Sequence, residues 1–416
     1  MMRSMFSAVS GLRNHQIRMD VIGNNIANVN TVGFKSSRVT FQDMIYETIR
    51  SASAPSATLG GSNPQQAGLG MMVRSIDTLM TQGSLESTGK ATDIAIQGDG
   101  FFVLDTGQGQ VYTRVGAFDL NLMKDLVDPA TGYYVMGWMV DNNSTKPGQI
   151  DTGMDPTHIN VPVGQLSISQ ATGRVTFTGN LDADASLGTT ATTTRQVYDS
   201  LGVAHYLTIT FTKTADNTWQ YDVLPQAGDT IVLNSGDTGT ITYNPDGTIN
   251  TGGTPTLNVD PGGGAAPNQD IVLDFTKTIQ FAANKSDVKA EYQDGFPMGV
   301  LENFFIGVDG TITGTFTNGM NKPLARIALG MFGNPAGLMK SGQSMFRQSN
   351  NSGELHYGAP AEGATGTLVA GSLEMANVDL SREFTSMIVT QRGFQANSRI
   401  ISTSDEMLQE LVNLKR

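Results

Sequence analysis

Residues 377–416 read NVDLSREFTSMIVTQRGFQANSRIISTSDEMLQELVNLKR. Apolar side chains recur there at heptad spacing: Leu380, Met387, Phe394, Ile401 and Leu408, with Phe384, Ile388, Leu411 and Leu414 widening the stripe. This period belongs to a helix that packs along another helix. Ser381 to Val412 as one helix would run about 48 Å at 1.5 Å per residue. Asp379 or Ser381 can supply the N-cap. The opposite end of the chain has the same character, with Met5, Leu12, Met19 and Ile26 in heptad register. Ala8 and Ile22 sit three residues after members of that set, and His15 interrupts the second row. Neither segment has a second helical stretch beside it in sequence. The economical inference is that the two ends pair as a two-stranded coil. Apolar surface left over would bind copies of the same chain, since heterologous contacts build open helical filaments. The alternative is that the stripes pack on the body of the protein.

Between the ends the pattern changes from helical to β. Ser51–Gly70 (SASAPSATLGGSNPQQAGLG) is uncharged and rich in Ser, Ala, Gly, Pro and Gln, and reads as a linker or extended loop. Met72–Met80 is an expected strand. Asp93–Asp105 (DIAIQGDGFFVLD) places two apolar runs around Gly-Asp-Gly and reads as a β-hairpin. Strands continue through Gln110–Asn121 and Gly132–Asp141. From about residue 146 the chain turns rich in Thr, Gly, Asp and Asn. Short strands are expected there at Leu166–Ser169, Arg174–Thr178, Arg195–Tyr198, His205–Thr212, Trp219–Val223, Thr230–Leu233, Thr240–Tyr243 and Ile271–Asp274, with a surface loop over Asn258–Asp270. After Phe296 the earlier style returns at Leu301–Val308, Thr311–Phe316 and Leu324–Met331, with a turn at Asp309-Gly310.

The expected fold is therefore multidomain and mainly β, with α-helical coiled-coil termini and nested domains. Residues 1–32 and 377–416 form the terminal helical domain, and 33–75 a linker or extended hairpin region. Residues 76–145 and 295–376 form a discontinuous middle β domain, and 146–294 an inserted outer β domain.

The bulk numbers narrow the function. The 416 residues carry a net charge of −12, which discounts nucleic acid and anionic lipid as partners. The basic residues Arg3, Arg13, Arg18, Lys35, Arg38 and Arg50 outnumber the acids Asp20, Asp43 and Glu47 in the first fifty positions, so the acidity lies further in. Charged residues are only 15% of the chain and glycines number 48, which favours strands and tight turns. Cysteine is absent, which excludes disulfides and thiolate metal sites. No apolar run reaches transmembrane length, and Met1–Gln16 has no continuous apolar core of a signal peptide.

Catalytic and metal chemistry finds little to stand on. His15, His158, His205 and His356 are scattered, with no HExxH pair. His15 reads as a solvated or seam residue, and His205 as structural. Gly98-Asp99-Gly100 opens no phosphate-binding helix. Asp182 and Asp184 raise a calcium possibility, but the longer ligand series of an EF-hand is missing. No catalytic residue, cofactor or metal is expected. An adhesin-like β protein is a third class, which the heptad termini argue against.

Three segments resemble the axial proteins of the bacterial flagellum: Ser10–Arg38 (SGLRNHQIRMDVIGNNIANVNTVGFKSSR), Gln82–Leu104 with Tyr112–Asn121, and Gly371–Leu414. Within that family, Arg195–Lys213 (RQVYDSLGVAHYLTITFTK) is similar to a segment typical of hook proteins. Phe41–Gly70 is longer than in the best-known hook proteins and looks more like the distal rod. The resemblance implies a tubular homopolymer outside the cell, linking rod to filament and carrying torque as a universal joint. It also implies export through the flagellar type III apparatus without a cleavable signal. Implied neighbours are the distal rod protein, the hook-filament junction protein and the hook cap protein. The heptad residues named above would then serve coiled-coil and intersubunit packing. Before assembly they lack partners, and disorder of both ends is expected in the isolated chain.

Overall fold

The structure is a computed structural model that describes residues 2–55, 60–140, 150–164, 167–283 and 285–414, leaving aside the side chains of Ser167 and Leu411. The chain divides into two compact units. The first takes in the chain up to Val161, Phe305–Thr313 and everything from Pro323 on, and the second takes Pro162–Phe304 and Gly314–Lys322. The inserted β domain is expected from the sequence at 146–294. Its described boundary falls later at both ends, while 146 itself lies outside the described residues. The reason is local: Ser167–Gln170 pairs antiparallel with the strand Phe296–Ile306, through Ser167 to Val300 and Gln170 to Phe296. That pairing holds Ser167–Gln170 against residues 296–300 within the second unit.

In the first unit, helix α1 (Met2–Ala27) and helix α2 (Leu380–Asn413) pack along each other. Each end is one continuous helix, and each packs against the other. Ser37–Asp43 and Met71–Thr78 form an antiparallel hairpin that lies on α1. The expected linker continues this hairpin: Tyr46–Arg50 pairs with Gln65–Gly68, and Ser53 bridges Ser62. Every residue of Tyr46–Arg50 is exposed. With neither face buried, no apolar alternation marked these strands in the sequence.

The main sheet of this unit runs, in antiparallel order, from residues 325–327 through Tyr134–Met139, Phe101–Asp105, Gln110–Thr113 and Met345–Arg347 to Met339–Gly342. Phe101, Phe102, Val103 and Leu104 are all buried, so this strand is covered on both faces and reads as a continuous apolar run. Phe101 and Val103 join Tyr112, Phe332 and Phe346 in one core. Phe102 meets Phe118 edge-on at 5.0 Å on the other side. The hairpin expected over Asp93–Asp105 does not form. Ile94–Gln97 pairs instead with Thr367–Ala370, while Phe101–Asp105 joins the main sheet. Gly98 and Gly100 take φ of 112° and 122°, which a β-carbon would oppose, and these values turn the chain from one sheet into the other.

The second unit holds two five-stranded sheets. One has Val232–Ser235, Thr256–Asp260, Gln269–Phe281, Arg174–Asp182 and Lys289–Gln293 in that order. The other has Thr190–Tyr198, Ala204–Ala215, Thr218–Pro225, Thr238–Tyr243 and Ile249–Thr251. In Ala204–Ala215, His205, Leu207, Ile209, Phe211 and Lys213 point inward and the residues between them face outward. The two sheets share one core around Phe177, Phe211, Trp219, Tyr221 and Phe275. Several strands run longer than the sequence pattern marks, because Thr on the outer face extends them without an apolar signal. Leu166, expected to begin a strand, lies outside the described residues. The expected loop from Asn258 begins only after Asp260, since Thr256–Asp260 is a strand.

Phe275 meets Phe177 at 4.9 Å and Phe211 at 5.5 Å between ring centroids. Phe275→Ala is expected to cost about 3–5 kcal/mol. A two-transition melt should show the loss in the transition of the second unit while that of the first stays in place.

Candidate assembly interface

The terminal helices form by different local rules. Asp379 is the N-cap of α2: its carboxylate accepts from the backbone N–H of Ser381 at 2.9 Å and of Arg382 at 3.2 Å. Gly11 and Gly393 set how closely α1 and α2 approach. A β-carbon on Gly11 would stand 2.6 Å from Nδ2 of Asn397, and one on Gly393 would stand 2.8 Å from Nε2 of His15. Asn25 Nδ2 donates to Oε1 of Glu383 at 3.2 Å. As the α1 position rises from 11 to 25, the α2 partner falls from 397 to 383, so the helices are antiparallel.

The tightest part of this seam is small and polar. Ala8, Gly11, Asn14, Ile22 and Asn25 are buried on α1, and Thr390 and Ser404 on α2. The heptad residues flank it. Met5, Leu12, Met19 and Ile26 are half-buried, as are Met387, Phe394, Ile401 and Leu408. Leu380 and Phe384 are exposed, at 40% and 51%. Ile388 and Leu414 are exposed as well, and the Leu411 side chain lies outside the described residues. Phe6, Val9, Val389, Ile400 and Met407 add to the exposed apolar surface of the pair. Close approach needed glycine, so the larger side chains were left at the edges.

His15 lies in the seam with its ring edge-on to Phe41 at 5.8 Å. Its Nδ1 is buried with no hydrogen-bond partner. Burial, and then the charge of Arg18, hold its pKa below the ordinary 6.5.

Below the helices lies a buried ionic cluster that the sequence reading missed. Lys35 Nζ donates to Oε1 of Glu374 at 2.7 Å and to the carbonyl of Thr81 at 2.8 Å. The N–H of Gly83 donates to the same carboxylate oxygen at 2.8 Å. Arg114 Nη1 reaches Oε2 of Glu374 at 3.4 Å, and Nη2 donates to the carbonyl of Gly98 at 2.9 Å. The Lys35 and Glu374 side chains are 1% and 0% exposed. Burial pushes the Lys35 and Arg114 pKa values down, and Glu374 opposes that push. Asn377 works beside the cluster: its Oδ1 accepts from Ser36 N–H at 2.8 Å and its Nδ2 donates to the Leu79 carbonyl at 2.8 Å. Each of the three segments quoted for the flagellar resemblance supplies one charge: Lys35, Arg114 and Glu374. The available signal was a lysine, an arginine and a glutamate set in otherwise apolar or small-residue stretches.

The residues weighed for chemistry are engaged structurally. His205 Nδ1 pairs with Asp229, and its Nε2 stands 3.6 Å from Asp199. His158 stacks on Tyr134 at 4.4 Å and pairs with Asp105 at 2.9 Å. His356 is exposed in a short edge strand. Asp182 accepts from the backbone N–H of Asp184 and Ala283, closing a turn. Among the described residues no group of three or more His, Cys, Asp or Glu is placed to hold a metal.

Four family models match the chain in order. They are "Flagella basal body rod protein" over 5–35, "Flagellar hook protein FlgE/F/G D1 domain" over 95–177, "Flagellar basal body protein FlaE D2 domain" over 169–296 and "Flagellar basal body rod FlgEFG protein C-terminal" over 369–414. The flagellar hook protein FlgE of Borreliella burgdorferi is 42% identical across the whole of both chains, and that of Treponema pallidum 40%. The chain belongs to the flagellar hook protein family. Within the wider axial group, the flagellar basal-body rod protein FlgG of Bacillus subtilis is 34% identical over both full lengths. The solved hook protein FlgE2 of Helicobacter pylori shares the fold, with a TM-score of 0.51 and 14% identity, covering 70% of this chain and 100% of that one. This chain has a mainly β body with paired terminal helices.

Glu374→Ala leaves Lys35 and Arg114 buried without their carboxylate, at an expected cost of about 3–5 kcal/mol. Chemical denaturation of the first unit would read that loss, and Glu374→Gln should fall between it and the parent. The His15 shift gives a pH dependence with a definite sign. Its folded pKa is lowered, so its contribution is present above about pH 6.5 and is lost as pH falls through the lowered value. Far-ultraviolet circular dichroism melts should show the helix pair loosening on acidification, and His15→Gln should flatten that response.

Proposed function

We propose that this chain is the structural subunit of a flagellar hook, assembling into a tubular polymer that joins rod to filament and transmits torque while bending. The observation that carries this reading is the full-length match to hook proteins, taken with the apolar surface left open on the α1–α2 pair. Phe6, Phe384, Ile388, Val389 and Ile400 are exposed on the pair, and copies of the chain packed side by side would bury them. A fully buried side chain of that size contributes about 1.5–3 kcal/mol, so a few per subunit suffice for a stable polymer.

On this reading the heptad residues from Met5 to Ile26 and from Leu380 to Leu408 serve the inner packing of the tube. The protein acts by assembling and not by catalysis. It works at the hook and basal body outside the cell, after export through the flagellar type III apparatus without a cleaved signal. Its neighbours are further copies of itself, the distal rod protein, the hook-filament junction protein and the hook cap protein. It needs no cofactor, nucleic acid or membrane insertion; among the described residues no helix is long and apolar enough to cross a membrane. A distal-rod role with an inserted domain is the second reading. The exposed hairpin Tyr46–Arg50 with Gln65–Gly68, in the segment similar to the rod, favours it. The separate second unit, matched by the D2 domain model, favours the hook.

Removing residues 1–30 or 381–416, or changing Phe394→Asp, is expected to give a soluble protein whose β units still melt cooperatively but which forms no tubes. Electron microscopy of concentrated protein decides it. Normal tubes from these variants would overturn the reading, and straight rather than curved tubes from the parent chain would favour the rod.

A further inference from the structure

The two ends of the helix pair present side chains of opposite charge, Glu406 and Glu410 at one and Arg18 and Arg382 at the other. Because the α1 and α2 contacts run antiparallel, Met407 is level with the start of α1, and the last turns of α2 pass beyond it by about 10 Å at 1.5 Å per residue. On this tip Glu406, Met407, Glu410 and Leu414 share one helical face, at i, i+1, i+4 and i+8. Met407 is 48% and Leu414 82% exposed, so the face is both acidic and apolar. Lys415 and Arg416 follow, outside the described residues.

At the other end of the pair, α1, the base of the hairpin and the start of α2 enclose a groove of about 230 Å³. Val21, Val39 and Leu79 line it, together with Arg18, Arg38 and Arg382. Two carboxylates also line it, but both are turned to other work. Asp379 caps α2, and Glu383 accepts from Asn25. Arg38 pairs with Asp77 at the surface. No ion pair joins Arg18 or Arg382 to any described residue of its own chain, and the same holds for Glu406 and Glu410.

We propose that the acidic tip of α2 in one copy seats in the Arg18–Arg382 groove of the next, giving the polymer a head-to-tail axial contact. Residues 382 and 408 of one helix stand about 39 Å apart, so a chain cannot fill its own groove. The occupant must come from a second copy. Such a contact is heterologous, and its repetition extends without closing. It unites unpaired guanidiniums with unpaired carboxylates and covers apolar side chains on both partners. This rests on the assembly reading above and adds the polarity of one contact within it.

A charge exchange tests it on the full chain, with tube formation followed by light scattering and electron microscopy. One variant carries Arg18→Glu and Arg382→Glu, and the other carries Glu406→Lys and Glu410→Lys. Each alone should slow tube formation by at least about tenfold, because every seated contact would join like charges. An equimolar mixture should recover tubes, since each variant's altered end meets the other's altered end. One chain carrying all four changes should also assemble, which shows that the substitutions leave the fold intact. Tubes from either variant alone at the parent's rate, or no recovery in the mixture and the fourfold variant, would overturn the contact while leaving the hook reading in place. Absence of tubes from the parent chain would remove both.

Discussion

The buried carboxylate of Glu374, gripped by Lys35 and Arg114, is the interaction on which the first unit depends. Lys35 and Glu374 are 339 positions apart in sequence, and their side chains meet where water is excluded. Desolvating three charges is costly, so the cluster is not a large net source of stability. Its hydrogen bonds to Thr81, Gly83 and Gly98 make it a device of register. They fix the chain leaving α1, the chain entering the middle sheet and the strand leading to α2 at one point. Any slip of one of these segments would leave a buried charge alone.

Above that point, the two helices come together through Gly11 and Gly393. A seam of large apolar residues would have used the heptad stripe up inside one chain. A seam of glycine, asparagine and threonine brings the backbones close and leaves much of the stripe at the edges. The pair is thereby complete enough to form, and it still leaves Phe384, Ile388 and Val389 exposed. The second unit has the opposite economy. Its apolar residues close on one another around Phe275 and Trp219, so its core requires no partner.

Helical ends, a β body and an interrupted domain were all legible in the sequence, because periods of seven and of two persist over many residues. Strands survived as expectations where one face was buried, as in Ala204–Ala215. They vanished where neither face was, as in Tyr46–Arg50. Pairing between neighbouring runs was less legible. Ile94–Gln97 and Phe101–Asp105 look like the arms of one hairpin, yet the first belongs with Thr367–Ala370. Local pattern shows that a segment is a strand, and the partner is chosen by residues hundreds of positions away.

The sequence by itself determined that the ends are helices of matching character, that the chain holds no thiol, and that its family is axial and flagellar. Those properties are local or compositional, and they survive without knowing what touches what. Only the tertiary structure decided that glycine rather than the heptad leucines and methionines makes the seam. It alone turned Lys35, Arg114 and Glu374 from three isolated charges into one cluster. Contact between distant residues depends on the whole path of the chain, and no period along the sequence encodes that path.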